Sequence, residues 1–240
     1  MKLFAIEASG PVAGCAVLED DKLIAEFSVQ NQKTHSQSLM PMMEQMKRIM
    51  PFPLSEIDAV VTTAGPGSFT GLRIGAATAK GMGFALGVPV IPVPTVDALA
   101  CNLPGTDALI CPIMDARRQQ VYTGIYENRE ELKVLRPQCV VALSEIVEEL
   151  NKLGREVVFL GDGVPVSEKA LAETMQVPYL LAPAHLNRQR AASTAVRAAQ
   201  LFEEKGEAAL VSADDFRPEY LRVPQAERER GDKRNYKVFV

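Results

Sequence analysis

The string Ala64-Gly65-Pro66-Gly67-Ser68-Phe69-Thr70-Gly71 is where this chain could bring backbone against a ligand or another element. Glycine tolerates positive φ and has no Cβ to block approach, so such a loop suits a phosphate or a tightly packed neighbour. Two phosphate-binding patterns fail to match. A Walker A loop requires Gly-Lys followed by Ser or Thr, whereas Gly71 is followed by Leu72 and Arg73. A dinucleotide fingerprint requires a third glycine where Thr70 stands. Asp115 beside Arg117 and Arg118 is a second candidate site. An aspartate at a hairpin shoulder also accepts backbone N–H bonds and pairs with a nearby arginine, and that plainer role fits the pattern better. Zinc chemistry is not expected, because Cys15, Cys101, Cys111 and Cys139 lie far apart without a C-x-x-C pair. The two histidines, His35 and His185, cannot form a cluster by themselves. At the start of a helix, His35 suits a cap or an interface better than catalysis.

Three short strands are predicted over residues 2–9, 13–19 and 22–29, then a helix over 35–50. Leu39, Met42, Met43, Met46, Ile49 and Met50 are expected on one face of that helix, with Pro41 in its first turns and Pro51 and Pro53 ending it. A strand over 57–63, the glycine loop, a helix from Leu72 and a strand over 88–93 follow, giving the order β-β-β-α-β-α-β. Gly71, Gly75, Ala79, Gly83 and Gly87 recur every four residues and line one side of the second helix. That smooth ridge admits close approach either by the chain itself or by a partner subunit. Asn102-Leu103-Pro104-Gly105 reads as a boundary. A smaller unit then begins with a hairpin over 109–114 and 121–126. It continues with a helix over 144–153, a strand over 157–160 ending in Gly161-Asp162-Gly163, and a helix over 167–175. A helix over 193–205, with Ala195, Ala198, Ala199 and Phe202 inward, is expected to return to the first unit.

Composition excludes several classes. A 47% hydrophobic content and 240 residues suffice for one large or two small cores. A net charge of −4 disfavours direct high-affinity nucleic-acid binding. The N-terminus carries no charged-then-apolar signal pattern, and the apolar stretch 74–93 is broken by Lys80, Pro89 and Pro92, so a soluble cytoplasmic protein without membrane contact is expected. The charged residues 225–240 read as a solvated tail and are assigned no function.

Four runs carry a resemblance: Ile6-Glu7-Ala8-Ser9, His35-Ser36-Gln37-Ser38-Leu39-Met40-Pro41, Gly65 through Gly75, and Met114-Asp115-Ala116-Arg117-Arg118. Together with Arg217-Pro218-Glu219-Tyr220-Leu221-Arg222 they make the chain resemble the bacterial TsaB (YeaZ) family over nearly its whole length. The resemblance implies an α/β, actin-like ATPase (ASKHA) fold of two ribonuclease H-like subdomains, each a mixed sheet flanked by helices. The subdomains would be 1–103, completed by a helix near 191–206, and 104–190. It also implies a non-catalytic partner of TsaD that acts with the ATPase TsaE in forming N6-threonylcarbamoyladenosine beside the anticodon of tRNAs reading codons that start with A. Catalytic relatives carry His-x-x-x-His where this chain has Thr95 and Leu99, so no metal site is expected. Superfamily ATPases use a strand-one aspartate and a glycine pair, whereas this chain has Glu7 and no Gly-Gly. No cofactor of its own is therefore expected, and ATP or ADP would be met only in an assembled complex, at Glu7, Ser9, Gly65 and Gly67. The partner interface is expected on the two N-terminal helices, at His35, Leu39, Met42, Met43, Met46, Arg73, Gly75, Ala79 and Gly83. It would serve TsaD or, in the chain alone, a homodimer, with tRNA reached only through the complex. Ala79→Arg is then expected to block association without unfolding the chain. The alternative is an enzyme, either a metal-dependent peptidase or a small-molecule kinase of the same superfamily.

Overall fold

Two five-stranded sheets share one strand order. The structure, a computed structural model, describes residues 1–31 and 33–222. In the first sheet β1 (Lys2–Glu7), β2 (Ala13–Glu19) and β3 (Lys22–Val29) form an antiparallel meander, and β4 (Ala59–Gly65) and β5 (Val90–Pro94) add in parallel, in the order β3-β2-β1-β4-β5. In the second, β6 (Thr106–Asp115), β7 (Gln120–Asn128) and β8 (Leu132–Ala142) form the meander, and β9 (Val157–Leu160) and β10 (Tyr179–Leu181) add in parallel, in the order β8-β7-β6-β9-β10. Counted along each half, both orders read 3-2-1-4-5. This is the expected actin-like plan of two mixed sheets flanked by helices.

Strand alternation explains why both faces of each sheet are covered. Along β1, Leu3 and Ala5 point to one face and Phe4 and Ile6 to the other. Helices α1 (His35–Ile49) and α2 (Phe69–Leu86) cover the Phe4 face, and α6 (Ala191–Lys205) covers the Leu3 face through Ala191, Ala195, Ala198 and Leu201. The expected return of the last helix to the first half is what the structure has. On the second sheet, α4 (Leu143–Leu153) and α5 (Val164–Thr174) cover one face and α3 (Thr95–Ala100) the other. The halves thus exchange helices, since α3 precedes the turn at 102–105 yet packs on the second sheet. The Tyr126 hydroxyl donates to Asp97 of α3 at 2.9 Å, and Asp97 faces Arg197 of α6 at 3.6 Å, which ties the exchange together.

Sequence reading missed β8 and β10. Pro137 interrupts the pattern of β8, and proline is tolerated there because β8 is an edge strand. Helix α5 also starts earlier than expected, with Pro165 in its first turn. The charged tail 225–240 lies outside the described residues.

The small-residue ridge of α2 faces inward. A Cβ on Gly75 would sit 3.3 Å from the Ala8 Cβ and 3.4 Å from the Thr62 Oγ1, and one on Gly83 would sit 3.0 Å from the Val88 carbonyl oxygen. A Cβ on Gly71 would collide with the Ala8 carbonyl, and Ala79 is 0% exposed. The ridge lets α2 sit low on β1 and β4, and this packing compensates glycine's helix cost of about 1 kcal/mol per position. Leu39 and Met46 are buried in the same core. The expected partner role of Leu39, Met46, Gly75, Ala79 and Gly83 is therefore corrected: their side chains and Cα surfaces pack against the chain itself. Arginine at position 79 would break the fold, contrary to the expectation for Ala79→Arg. Gly87 is not part of the packed ridge. It caps α2 at φ +71°. Ile49 also leaves its expected face and lies 56% exposed.

Candidate functional site

A cleft of about 450 Å³ opens between the halves, at the carboxyl ends of β1, β4, β6 and β9. Open α/β sheets bind ligands at such a place. The first half contributes Ser9, Gly10, Gly67 and Ser68, the second contributes Asp115, Arg117, Arg118 and Asp162, and Glu219 to Arg222 lie across the mouth.

Glu7 is not in this cleft. Its Oε1 accepts from the Ser9 N–H at 2.7 Å, the Ser9 hydroxyl at 2.5 Å and the Thr63 hydroxyl at 3.3 Å, and its Oε2 accepts from the Thr194 hydroxyl at 3.1 Å. Burial pushes its carboxyl above the ordinary value, against the pull of those hydrogen bonds. Glu7 thus knots β1, β4 and α6 together and offers no free oxygen to a nucleotide, which corrects its expected role. Gly65 is also withdrawn. It sits at φ +126°, its carbonyl accepts from Gln138 Nε2 at 3.1 Å, and the space a Cβ would need is filled by the Glu219 carbonyl. Ser9 and Gly67 do line the cleft, and the Ser9 carbonyl faces the glycine loop at close range. The Ser68 N–H donates to the Ser9 carbonyl at 2.7 Å, and a Cβ on Gly67 would collide with that same oxygen. The glycine string thus packs on the Ser9 carbonyl and spends its Ser68 N–H there, one of the donors that a phosphate at this place would use.

Across the cleft, Asp115 has the expected shoulder role. Its Oδ1 accepts from the Arg117 N–H at 2.7 Å and its Oδ2 pairs with the Arg117 guanidinium at 3.2 Å. Arg117, Arg118 and Gln119 all adopt left-handed φ, an unusual run for residues other than glycine. Asp162, which sequence reading noted only as part of a glycine turn, lines the cleft with its carboxyl raised by burial and is held by Gln189 Nε2 at 3.3 Å.

A second surface lies on the outer side of α1 and α2. A groove of about 690 Å³ is lined by Met40, Pro41, Met43, Ala77, Gly81 and Met82, and Phe84 stands beyond it at 72% exposure. Of the expected interface residues, Met42 and Met43 are half-buried and Arg73 is exposed. His35 is half-buried, and its ring N–H donates to the Gly10 carbonyl at 2.8 Å, pinning α1 to the cleft loop. Thr95 and Leu99 are buried in α3. Among the described residues no group of three His, Cys, Asp or Glu side chains could hold a metal ion. None of the described helices is long and apolar enough to cross a membrane.

The family model for TsaD, tRNA N6-adenosine threonylcarbamoyltransferase, matches residues 23–230. The tRNA threonylcarbamoyladenosine biosynthesis protein TsaB of Bacillus subtilis is 33% identical over 228 residues, 95% of this chain and 96% of its own length. This chain belongs to the TsaB (YeaZ) family. The Escherichia coli TsaB is 29% identical over 68% of the chain and 72% of its own length. YeaZ from Pseudomonas aeruginosa superposes with a TM-score of 0.74 at 25% identity, covering 90% of the chain and 98% of that structure. Another Pseudomonas aeruginosa structure, described as an uncharacterized protein with similarity to peptidase YEAZ, gives 0.76 at 25% identity over 92% of the chain and 99% of its own.

Proposed function

We propose that this TsaB-family chain is a non-catalytic subunit in the biosynthesis of tRNA threonylcarbamoyladenosine. It supports TsaD, with TsaE, in the cytoplasm, and docks on TsaD through the outer face of α1 and α2. The observation that carries the reading is that groove. The inner ridge of α2 already satisfies the chain's own core, so the exposed Met40 and Phe84 are apolar surface outside it, while Met43 and Met82 pack partly on that core and line the groove beside them. Methionine is unbranched and polarizable, which suits a surface that meets TsaD in the complex and a second copy in the chain alone. The saturated Glu7 carboxylate and the closed glycine loop support the absence of independent ATP turnover. Nucleotide and tRNA are met only through the assembled complex.

The test is threonylcarbamoyl transfer to tRNA by TsaD and TsaE of the same organism, with and without this chain, while light scattering records the species formed. Activity that requires the chain, together with a heteromer, is expected. Unchanged activity and a chain that stays apart would overturn the reading.

A further inference from the structure

The segment after α6 crosses from one half to the other. Val211 bridges to Val90 at the edge of the first sheet, and Phe216 is buried against α2. The Glu219 N–H then donates to the Ala64 carbonyl at 2.7 Å. The Tyr220 ring lies 5.0 Å from that of Phe69, and its hydroxyl accepts from Arg73 Nε at 3.4 Å. Arg73 in turn covers the Phe69 ring at 3.9 Å. Two residues later Arg222 donates to the Ala116 and Arg117 carbonyls of the second half.

These carbonyls belong to the turn whose Arg117, Arg118 and Gln119 are left-handed, with φ of 65°, 56° and 59°. Three successive non-glycine residues in that region persist only where the surroundings hold them. Within the turn, the Ala116 N–H donates to the Gln120 carbonyl and the Gln120 N–H to the Arg117 carbonyl, both at 3.1 Å. From outside the turn, the Leu143 N–H donates to the Gln119 carbonyl at 3.4 Å, and Arg222 holds the Ala116 and Arg117 carbonyls. Phe216 is a core residue, whereas Glu219 is exposed and Tyr220 and Arg222 are half-buried. A segment held by a few surface contacts beyond a firm anchor can open without unfolding either half.

We propose that residues 219–222 are a latch across the cleft: Tyr220 fastens it to α2, Arg222 fastens it to the β6–β7 turn, and release at the first point frees the second. The latch and the left-handed turn form one unit, so the state of Tyr220 sets the state of Arg117 and Arg118 at the cleft wall.

Hydrogen exchange of the full chain, alone in solution, tests this in Tyr220→Ala, Arg222→Ala and Tyr220→Phe. Tyr220→Ala removes the ring contact with Phe69 and the hydroxyl bond to Arg73, both on α2. It is nevertheless expected to speed exchange at the Ala116 and Gln120 amides by about tenfold or more, as Arg222→Ala does, with β9 unchanged. Tyr220→Phe keeps the ring contact and is expected to stay within about threefold of the unaltered chain. Turn exchange unaltered in Tyr220→Ala would overturn the proposal, whatever Arg222→Ala does. Exchange rising throughout the chain, β9 included, would overturn it equally, because a latch must open with both halves intact.

Discussion

The helix pair over the first sheet and the pair over the second do the same work on their inner faces and differ on their outer ones. Under α1 and α2 lie Phe4, Ile6, Cys15 and Val60, and under α4 and α5 lie Leu109, Cys111, Ile113 and Phe159. Even the turns match. Gly65, after β4, sits at φ +126° against Glu219, and Gly161, after β9, sits at φ +111° against Ile113. Outside, α4 carries Glu145, Glu149 and the Glu148–Lys152 pair, with Arg136 of β8 bridging Glu145 at 2.7 Å and also pairing with Glu149. Such exposed pairs add little stability but keep the surface wet. The outer side of α1 has an ion pair of its own, Glu44–Arg48, but α1 and α2 also frame a groove beside Met40 at 59% and Phe84 at 72% exposure, whereas the exposed Leu153 and Val166 of the second pair stand singly. A fold constrains only the inner face of a covering helix. The outer face is free to differ, and the docking role proposed for α1 and α2 rests on that difference.

The largest effect should come from exchanging those faces on one helix. Ala79→Arg places a guanidinium in the α2–sheet core without a partner and is expected to cost about 4 kcal/mol or more, read as a collapse of the urea midpoint. Phe84→Arg, one turn onward on the outer face, should shift that midpoint by about 0.5 kcal/mol or less. A folded Ala79→Arg chain would mean that the ridge is not an inner face.

Next in size is the loss of docking. Met40→Asp with Phe84→Asp, both on exposed residues, should keep the melting temperature within a few degrees yet weaken TsaD capture by about 100-fold, measured by titration calorimetry. Glu145→Lys on the second pair should leave capture unaltered. Equal losses from both helix pairs would remove the functional contrast between them.

Much of this contrast was legible in the sequence. The four-residue spacing of Gly71, Gly75, Ala79 and Gly83 named the smooth side of α2. Spacing could not say which body that side meets, because the depth at which α2 sits depends on the Ala8 and Thr62 surfaces of β1 and β4. The first half and the return of α6 followed from alternation and periodicity. β8 did not, since Pro137 and its exposed neighbours lack a period. Ser9 and Gly67, expected to meet nucleotide, and Asp115, expected as a hairpin shoulder, all line one cleft, a meeting of the two halves that the sequence did not show, and Glu7 lies apart from them. Whether a strand-end carboxylate faces solvent depends on Thr63 and Thr194, 56 and 187 residues away.

Glu7 gives a smaller effect with a definite sign. Its folded-state pKa is raised above the ordinary value of 4.5, so its protonated form favours the fold. That contribution is complete below about pH 4.5 and is lost as pH rises through the folded-state value. Glu7→Gln removes the titration. The stability of the variant relative to the unaltered chain should therefore grow as pH rises, followed by urea midpoints across pH 4–8. A difference that shrinks as pH rises would mean that the four hydrogen bonds outweigh burial.

The smallest expected effect is none. In the first half the Ser68 N–H is spent on the Ser9 carbonyl, and in the second the Gly161 and Gly163 N–H groups are spent on the Asn187 and Ile113 carbonyls, so these donors are not offered to a triphosphate. ATP with Mg²⁺ should leave the melting temperature of the isolated chain unaltered, where a nucleotide at 100 times its Kd would add about 2.7 kcal/mol. Adding TsaD makes the comparison sharper. A shift seen only in the mixture assigns the nucleotide to the assembled complex. A shift in the chain alone means that the cleft opens enough to free Ser9 and Gly67, and the kinase reading then regains its site.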